Sequence, residues 1–444
     1  MTNILVEDLS AVKKKVTFEI PQEKVSELID AEFRDLKKTV QIKGFRKGKV
    51  PLNILRAYFK SQVEDEAKKK LIEETFQPGL DEKKINLVSV VKLEPEALAA
   101  GTPFKYTAEI EVTPPIEVKG YKELSLTKYK REVKEEQVNE RLERLRERQA
   151  KLSPIPEKRG VTSGDYLVAD IKAEVDGEPI PALTVTDYHM ELGREFYLNG
   201  FDAKVEGMKP GESADVSFDL PEDFPRKELA GKSGQFHVAL KEAKERILPA
   251  LDDEFAKDLG KYESLEELKE EIRKDVALSL EEQTKKELEK QIIDALVAAH
   301  EFEIPESMVE SQVDTVLDDT RRGLARLGIN PDRVPPPTQE HRDQVRPTAL
   351  RDVKAALILR EIAEKEDITV SDDDLDEGIK QRAERVGASF DYFKDMLEKQ
   401  DMLPSLRSGL LQEKVLAMIQ EHATITEQEA PADQEIETEK AEEK

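Results

Sequence analysis

The chain contains no cysteine and no tryptophan, only five histidines, and aromatic residues make up just 5% of its 444 positions. Without cysteine there is no disulfide framework, no thiolate zinc site, no iron–sulfur ligation and no thiol nucleophile. His189, His237, His300, His341 and His422 are scattered, and none has the spacing of a helical His-Glu-x-x-His site, so no metal is expected. No run of about 18 apolar residues could cross a bilayer as a helix. Met1 to Lys15 lacks the apolar stretch after a basic start that marks a secretory leader. These absences lead to the expectation of a cytoplasmic protein with no membrane partner. Gly-rich dinucleotide fingerprints and nucleophile elbows are also missing. Gly231-Lys232-Ser233 has the tail of a phosphate loop, but the glycine required five positions earlier is Arg226, and no helix-forming stretch follows. No cofactor is expected, and any work done on other proteins is expected to be ATP-independent.

What the chain has is charge. Charged residues are 37% and hydrophobic residues 38% of the sequence, with a net charge of −26. The length suits several domains of modest size rather than one large core. A net charge this negative argues against a general nucleic-acid binder, but the charge is not evenly spread. The net is +1 over 1–115, +3 over 116–155, −7 over 156–246 and −23 over 247–444.

The predicted architecture is a multidomain α+β chain. Residues 1–115 form an α+β domain: Val16, Phe18 and Ile20 alternate as a strand does, and Val25, Leu28, Ile29, Phe33 and Leu36 recur at helical spacing. A loop at Lys43 to Pro51 precedes a helix over Leu52 to Phe76, and strands follow at Ile85–Leu93 and Phe104–Val112. Residues 116–155 form a linker with a charged arm helix from Val133 to Leu152 that packs with the C-terminal domain. Residues 156–246 carry short alternating strands, with Leu167, Ala169, Ile171, Ala173 and Val175 as the clearest, and one short helix at Gly200 to Met208. Residues 247–425 are almost wholly helical. Ser264 with Glu267 fits a capping box at one helix start. Residues 426–444 are acidic and poor in apolar side chains, the composition of a disordered tail.

The sharpest local feature lies in 34–49. Arg34, Lys37, Lys38, Lys43, Arg46, Lys47 and Lys49 face one acid, Asp35. A cationic loop on an acidic protein suits docking on an anionic surface, and Phe45, an aromatic between glycines, could anchor an interface.

Gly44-Phe45-Arg46-Lys47-Gly48-Lys49-Val50-Pro51 resembles the ribosome-docking signature of the bacterial trigger factor family. The order of parts agrees along nearly the whole chain, and Leu248-Pro249-Ala250-Leu251-Asp252-Asp253-Glu254-Phe255 resembles the family's junction after its β domain. The resemblance implies a ribosome-associated chaperone that meets nascent polypeptides at the exit tunnel. It makes 1–115 the ribosome-binding domain, 156–246 an FKBP-like domain and 247–425 the helical chaperone domain. Gly44, Phe45, Arg46, Lys47, Gly48 and Lys49 would form the tip that contacts a ribosomal protein and adjacent ribosomal RNA. It further implies a monomer on the ribosome that self-associates when free.

The FKBP resemblance implies a peptidyl-prolyl cis–trans isomerase. Such catalysis needs no nucleophile, base or metal, only an apolar pocket that favours the twisted imide. The implied pocket residues are Phe201, Phe224, Phe236, Ile171, Ile180 and Leu198. The segment Asp176-Gly177-Glu178-Pro179-Ile180-Pro181 departs from the family pattern, with Ile180 where an aromatic is usual and Pro181 where an acid is usual. Ile171 also stands where an aromatic is common. The expectation is weak or absent turnover.

In the helical region, Met308, Val309, Leu324, Leu327, Tyr392, Phe393 and Met396 would be divided between core and cargo contact, a division the sequence does not resolve. Two other readings stay open. One is a dedicated prolyl isomerase with helical substrate-recruiting arms, and the other is a non-chaperone helical scaffold with a ribosome-docking module. Suppression of aggregation, with and without residues 157–246, separates them.

Overall fold

A computed structural model describes residues 2–43, 45–156, 159–175, 178–180, 184–193, 201–220, 231–326 and 334–429. The chain divides into two compact units, one of residues 1–129 and 285–428, the other of 130–284 and 429–444.

The first unit opens with strands β1 (Asn3–Asp8) and β2 (Lys13–Ile20), helices α1 (Gln22–Thr39) and α2 (Leu52–Glu82), and strands β3 (Leu87–Pro95) and β4 (Phe104–Val112). The strands form an antiparallel sheet in the order β1-β2-β4-β3. Phe18 and Tyr106 face each other in the β2–β4 register and stack with ring centroids 4.6 Å apart. Burial pushes the Tyr106 phenol up to about 12, and its hydroxyl is satisfied by Thr75 on α2 at 2.9 Å. The sequence pattern ended α2 at Phe76, but the helix continues through Pro78 and Gly79 to Glu82. Gly79 permits this, because a Cβ there would stand 2.5 Å from Cε1 of Phe18. Strand β1 carries too little hydrophobic contrast to be marked by alternation, and its pairing with β2 makes it a strand.

Strand β5 (Ser125–Lys130) follows, also unmarked in the sequence, and the chain then enters the second unit. There α3 (Glu135–Arg148) is shorter than the expected arm helix. Lys151 and Leu152 leave it for strand β6 (Lys151–Pro154), where pairing with the end of a long strand outweighs helical continuation. Strands β7 (Tyr166–Val175), β8 (Glu178–Pro179) and β9 (Val185–Glu191), helix α4 (Phe201–Val205), and strands β10 (Ser213–Asp219) and β11 (Ser233–Ile247) make the antiparallel domain. Its main order is β10-β11-β7-β8, with β6 on β11 and β9 on β7. The alternating side chains of β7 and β11 point into one core, which α4 covers with Phe201 and Val205. Helix α5 (Asp253–Asp258) and the start of α6 (Leu265–Ala299) pack Phe255, Leu268, Ile272 and Val276 against Val138 and Leu142 of α3.

The remaining helices belong to the first unit: α7 (Glu306–Arg326), α8 (Gln339–Lys365), α9 (Asp372–Arg385), α10 (Phe390–Lys399) and α11 (Leu403–His422). Leu288, Ile292 and Leu296 from the end of α6 meet Ile358 and Ile362 of α8 and Val415 and Ile419 of α11. Val118, Tyr121 and Leu126 of the connector fill the same core. Only half of the expected capping box has its usual form. Ser264 accepts from the Glu267 N–H, but the Glu267 carboxylate accepts from Glu263 rather than Ser264. Residues 426–429, expected within the acidic tail, instead belong to strand β12 (Thr424–Glu429), which pairs with β5.

Candidate functional site

The basic loop joins α1 to α2. Two short turns shape it, with the Phe45 N–H donating to Ile42 O at 3.0 Å and the Lys49 N–H to Arg46 O at 2.9 Å. Gly48 sits at φ +80°, a conformation that glycine adopts without strain. Fully buried Val50 and half-buried Ile42 hold the two ends against the core of the sheet, so the loop projects from a fixed base. Phe45 is 39% exposed, and Arg46, Lys47 and Lys49 are exposed around it; Gly44 lies outside the described residues.

Part of the positive charge on the helices beside this tip is neutralised by neighbouring acids. Lys38 pairs with Asp35 at 2.8 Å, Arg56 with Asp30 at 2.7 Å, and Lys70 with Glu32 at 2.6 Å. Among the described residues, Lys43, Arg46, Lys47 and Lys49 make no ion pair. Lys38, Arg56 and Lys70 are therefore locally neutralised, whereas the loop cations, together with Arg34 and Lys37 of α1, have no ion-pair partner among the described residues and are available to an external anion.

Of the expected isomerase residues, the structure brings four together. Ile171 on β7, Phe236 on β11 and Phe201 on α4 are buried in the same core, and Ile180 is half-buried against it. Phe201 and Phe236 meet edge to face at 5.8 Å between ring centroids. The Ile180 N–H donates to Ala173 O at 2.8 Å, which holds that segment along β7. Leu198 and Phe224 lie outside the described residues. The sequence does not mark Tyr188 on β9 as a pocket residue. It is half-buried against the same cluster, and burial raises its phenol above the ordinary value. Its only sequence signal was being an aromatic in a short alternating run.

Two open, adjoining cavities of about 690 and 630 Å³ lie among the helices of the first unit, both lined by Met308, Ala356 and Leu359. Val88 of β3 lines the first, and Ile368 and Leu411 line the second. Of the residues weighed for cargo contact, Met308 therefore lines both cavities. Val309 is buried core, Phe393 and Met396 of α10 pack in a cluster with α9 and α11, and Tyr392 is 66% exposed. Leu324 is half-buried, and Leu327 lies outside the described residues. No described helix is long and apolar enough to cross a membrane.

Three family models match the chain. Residues 2–145 match "Bacterial trigger factor protein (TF)", 157–241 match "FKBP-type peptidyl-prolyl cis-trans isomerase", and 264–421 match "Bacterial trigger factor protein (TF) C-terminus". A trigger factor of Geobacter metallireducens is 36% identical over 426 residues, covering 95% of this chain and 98% of that protein. One of Syntrophotalea carbinolica is 36% identical over 424 residues, covering 95% and 96%. A solved structure described as "Promiscuous Substrate Recognition in Folding and Assembly Activities of the Trigger Factor Chaperone" aligns over 94% of this chain and 98% of its own, at 23% identity and a TM-score of 0.46.

Proposed function

The chain belongs to the bacterial trigger factor family, and from that premise we propose how its parts divide the work. It is a ribosome-associated chaperone with an FKBP-type peptidyl-prolyl isomerase domain. In our reading, Gly44 to Lys49 are the docking tip, and their targets are an exit-tunnel ribosomal protein and the neighbouring ribosomal RNA. The observation that carries this is the set of loop cations around exposed Phe45 that make no ion pair among the described residues. Such cations give salt-dependent attraction to phosphate by releasing counterions, and the phenyl ring adds a desolvated contact that charge alone lacks. Ribosome co-sedimentation of the Phe45→Ala/Arg46→Ala/Lys47→Ala variant tests it. Unchanged binding with an intact fold would remove the assignment.

In the same reading, nascent segments rest in the adjoining cavities around Met308, Ala356 and Leu359. Small apolar surfaces within a polar body suit many unfolded sequences at low affinity. Release follows from weak contacts without ATP, in the cytoplasm. The chain works as a monomer on the ribosome and self-associates when free. The proposed isomerase pocket comprises Phe201, Phe236, Ile171 and Ile180 with Leu198 and Phe224, and its turnover is weak. Two features support this: Ile171 and Ile180 stand where aromatics are usual, and Ile171, Phe201 and Phe236 are committed to the core.

A further inference from the structure

A cavity of about 540 Å³ in the second unit has the opposite charge to the protein as a whole. Its floor is apolar, with Leu145, Tyr262 and Leu268, and its rim carries Arg141, Arg144 and Arg148 of α3 and Lys261 from the turn before α6. Asp275 is the one acid in its lining. Arg144 is engaged by Glu140 at 2.7 Å. Arg141, Arg148 and Lys261 make no ion pair among the described residues. The neighbouring Arg146 is used structurally, donating to Pro249 O at 2.7 Å. Three cations around one concavity that have no ion-pair partner among the described residues, in a chain with 96 acids against 70 bases, require explanation.

We propose that this cavity is an anion site and that its occupant is the chain's own acidic segment, residues 430–444. That segment carries Asp433, Glu435, Glu437, Glu439, Glu442 and Glu443 against Lys440 and Lys444. Glu435 and Glu437 flank Ile436, so the segment offers carboxylates to the rim and one apolar side chain to the floor.

The reach follows from the covalent chain. Thr424 donates to Leu124 O at 2.8 Å and Glu427 pairs with Lys128 at 3.9 Å, so β12 and β5 advance in step and Glu429 ends beside Lys130. From Lys130, Arg141 is at most five extended residues and six helical ones away, about 27 Å. Eight extended residues from Glu429 to Glu437 span about the same distance. Tethering this close gives an effective concentration of about millimolar, enough for a few charge pairs to fill the site at low salt.

Carbodiimide coupling of the full chain, followed by tryptic mass spectrometry, tests the proposal because Lys261 supplies an amine within the rim. At low ionic strength, Lys261 should couple to Glu435, Glu437 or Glu439 in the monomer-sized fraction. The yield should fall at least fivefold in high salt and in an Arg141→Gln/Arg148→Gln variant whose melting is unchanged. The proposal is overturned if Lys261 gives no such product, if the yield is the same in the variant, or if the product appears only between two chains.

Discussion

The carboxylate of Glu111, at the end of β4, accepts hydrogen bonds from both the backbone N–H and the hydroxyl of Ser307, in the first turn of α7. The N–H bond is 3.0 Å long and joins residues 196 apart in the chain. Glu111 is only 2% exposed, and Lys13 lies 3.8 Å away. An N-terminal strand thus supplies the anion that caps a C-terminal helix, where free N–H groups and the helix dipole favour negative charge. The bond ties the sheet to the helical part of the first unit.

Glu111→Ala should therefore lower stability by about 1.5–3 kcal/mol, the range for losing hydrogen bonds to a charged group, and should speed amide exchange in the first turn of α7. The pH dependence has a definite sign. Burial raises the Glu111 carboxyl, but Ser307 and Lys13 outweigh it, and the net shift is below the ordinary value of 4.5. Its contribution is present above about pH 4.5 and is lost as the pH falls through the lower folded value. The melting gap between the native chain and Glu111→Gln should narrow in that range. A gap constant from pH 7 to pH 3 would contradict the assignment.

In the loop, charge and apolar contact should separate experimentally. Lys47→Ala should reduce the salt dependence of ribosome binding by about one unit of log–log slope. Phe45→Ala should weaken binding with the slope unchanged. Both positions are exposed, so thermal melting should not move. Equal slopes for native and Lys47→Ala chains would mean that this cation meets no phosphate.

For the β domain, Phe201 and Ile180 should respond differently. Phe201 is buried against Phe236, so Phe201→Ala should cost about 3–5 kcal/mol, seen as early melting of this domain. Ile180 is half-buried, and Ile180→Phe restores an aromatic where the FKBP pattern has one. Turnover of a proline tetrapeptide should be weak in the native chain and higher in that variant. Native turnover equal to that of a dedicated FKBP enzyme would refute the reading.

Gly79→Ala sets two effects against each other. Alanine gains about 1 kcal/mol of helix propensity over glycine, but the added methyl would stand 2.5 Å from Phe18 and 2.8 Å from Ile4. Overpacking of this kind costs about 1–3 kcal/mol, and the Phe18 ring is itself stacked on Tyr106 and cannot readily yield. The variant should unfold at lower denaturant than the native chain.

The sequence by itself determined the order of parts and the docking loop, because both are local. Alternation along Leu167 to Val175 and helical spacing along Val25 to Leu36 record which side faces a core, whatever that core contains. The glycines around Phe45 and the cations beside it are contiguous, so charge and turn chemistry can be read without a fold. Tertiary structure decided what depends on distant partners. Strands β1 and β5 are strands because β2 and β12 pair with them. Leu152 leaves its helix because β11 offers it a ladder. Glu111 caps a helix almost two hundred residues away, and Ile171 and Phe201 are core residues as well as pocket candidates. The loop cations were visible as a cluster, but their lack of ion pairs was not, since the acids that neutralise Lys38, Arg56 and Lys70 do so through helix geometry. Charge composition is a property of the chain, whereas charge availability is a property of the fold.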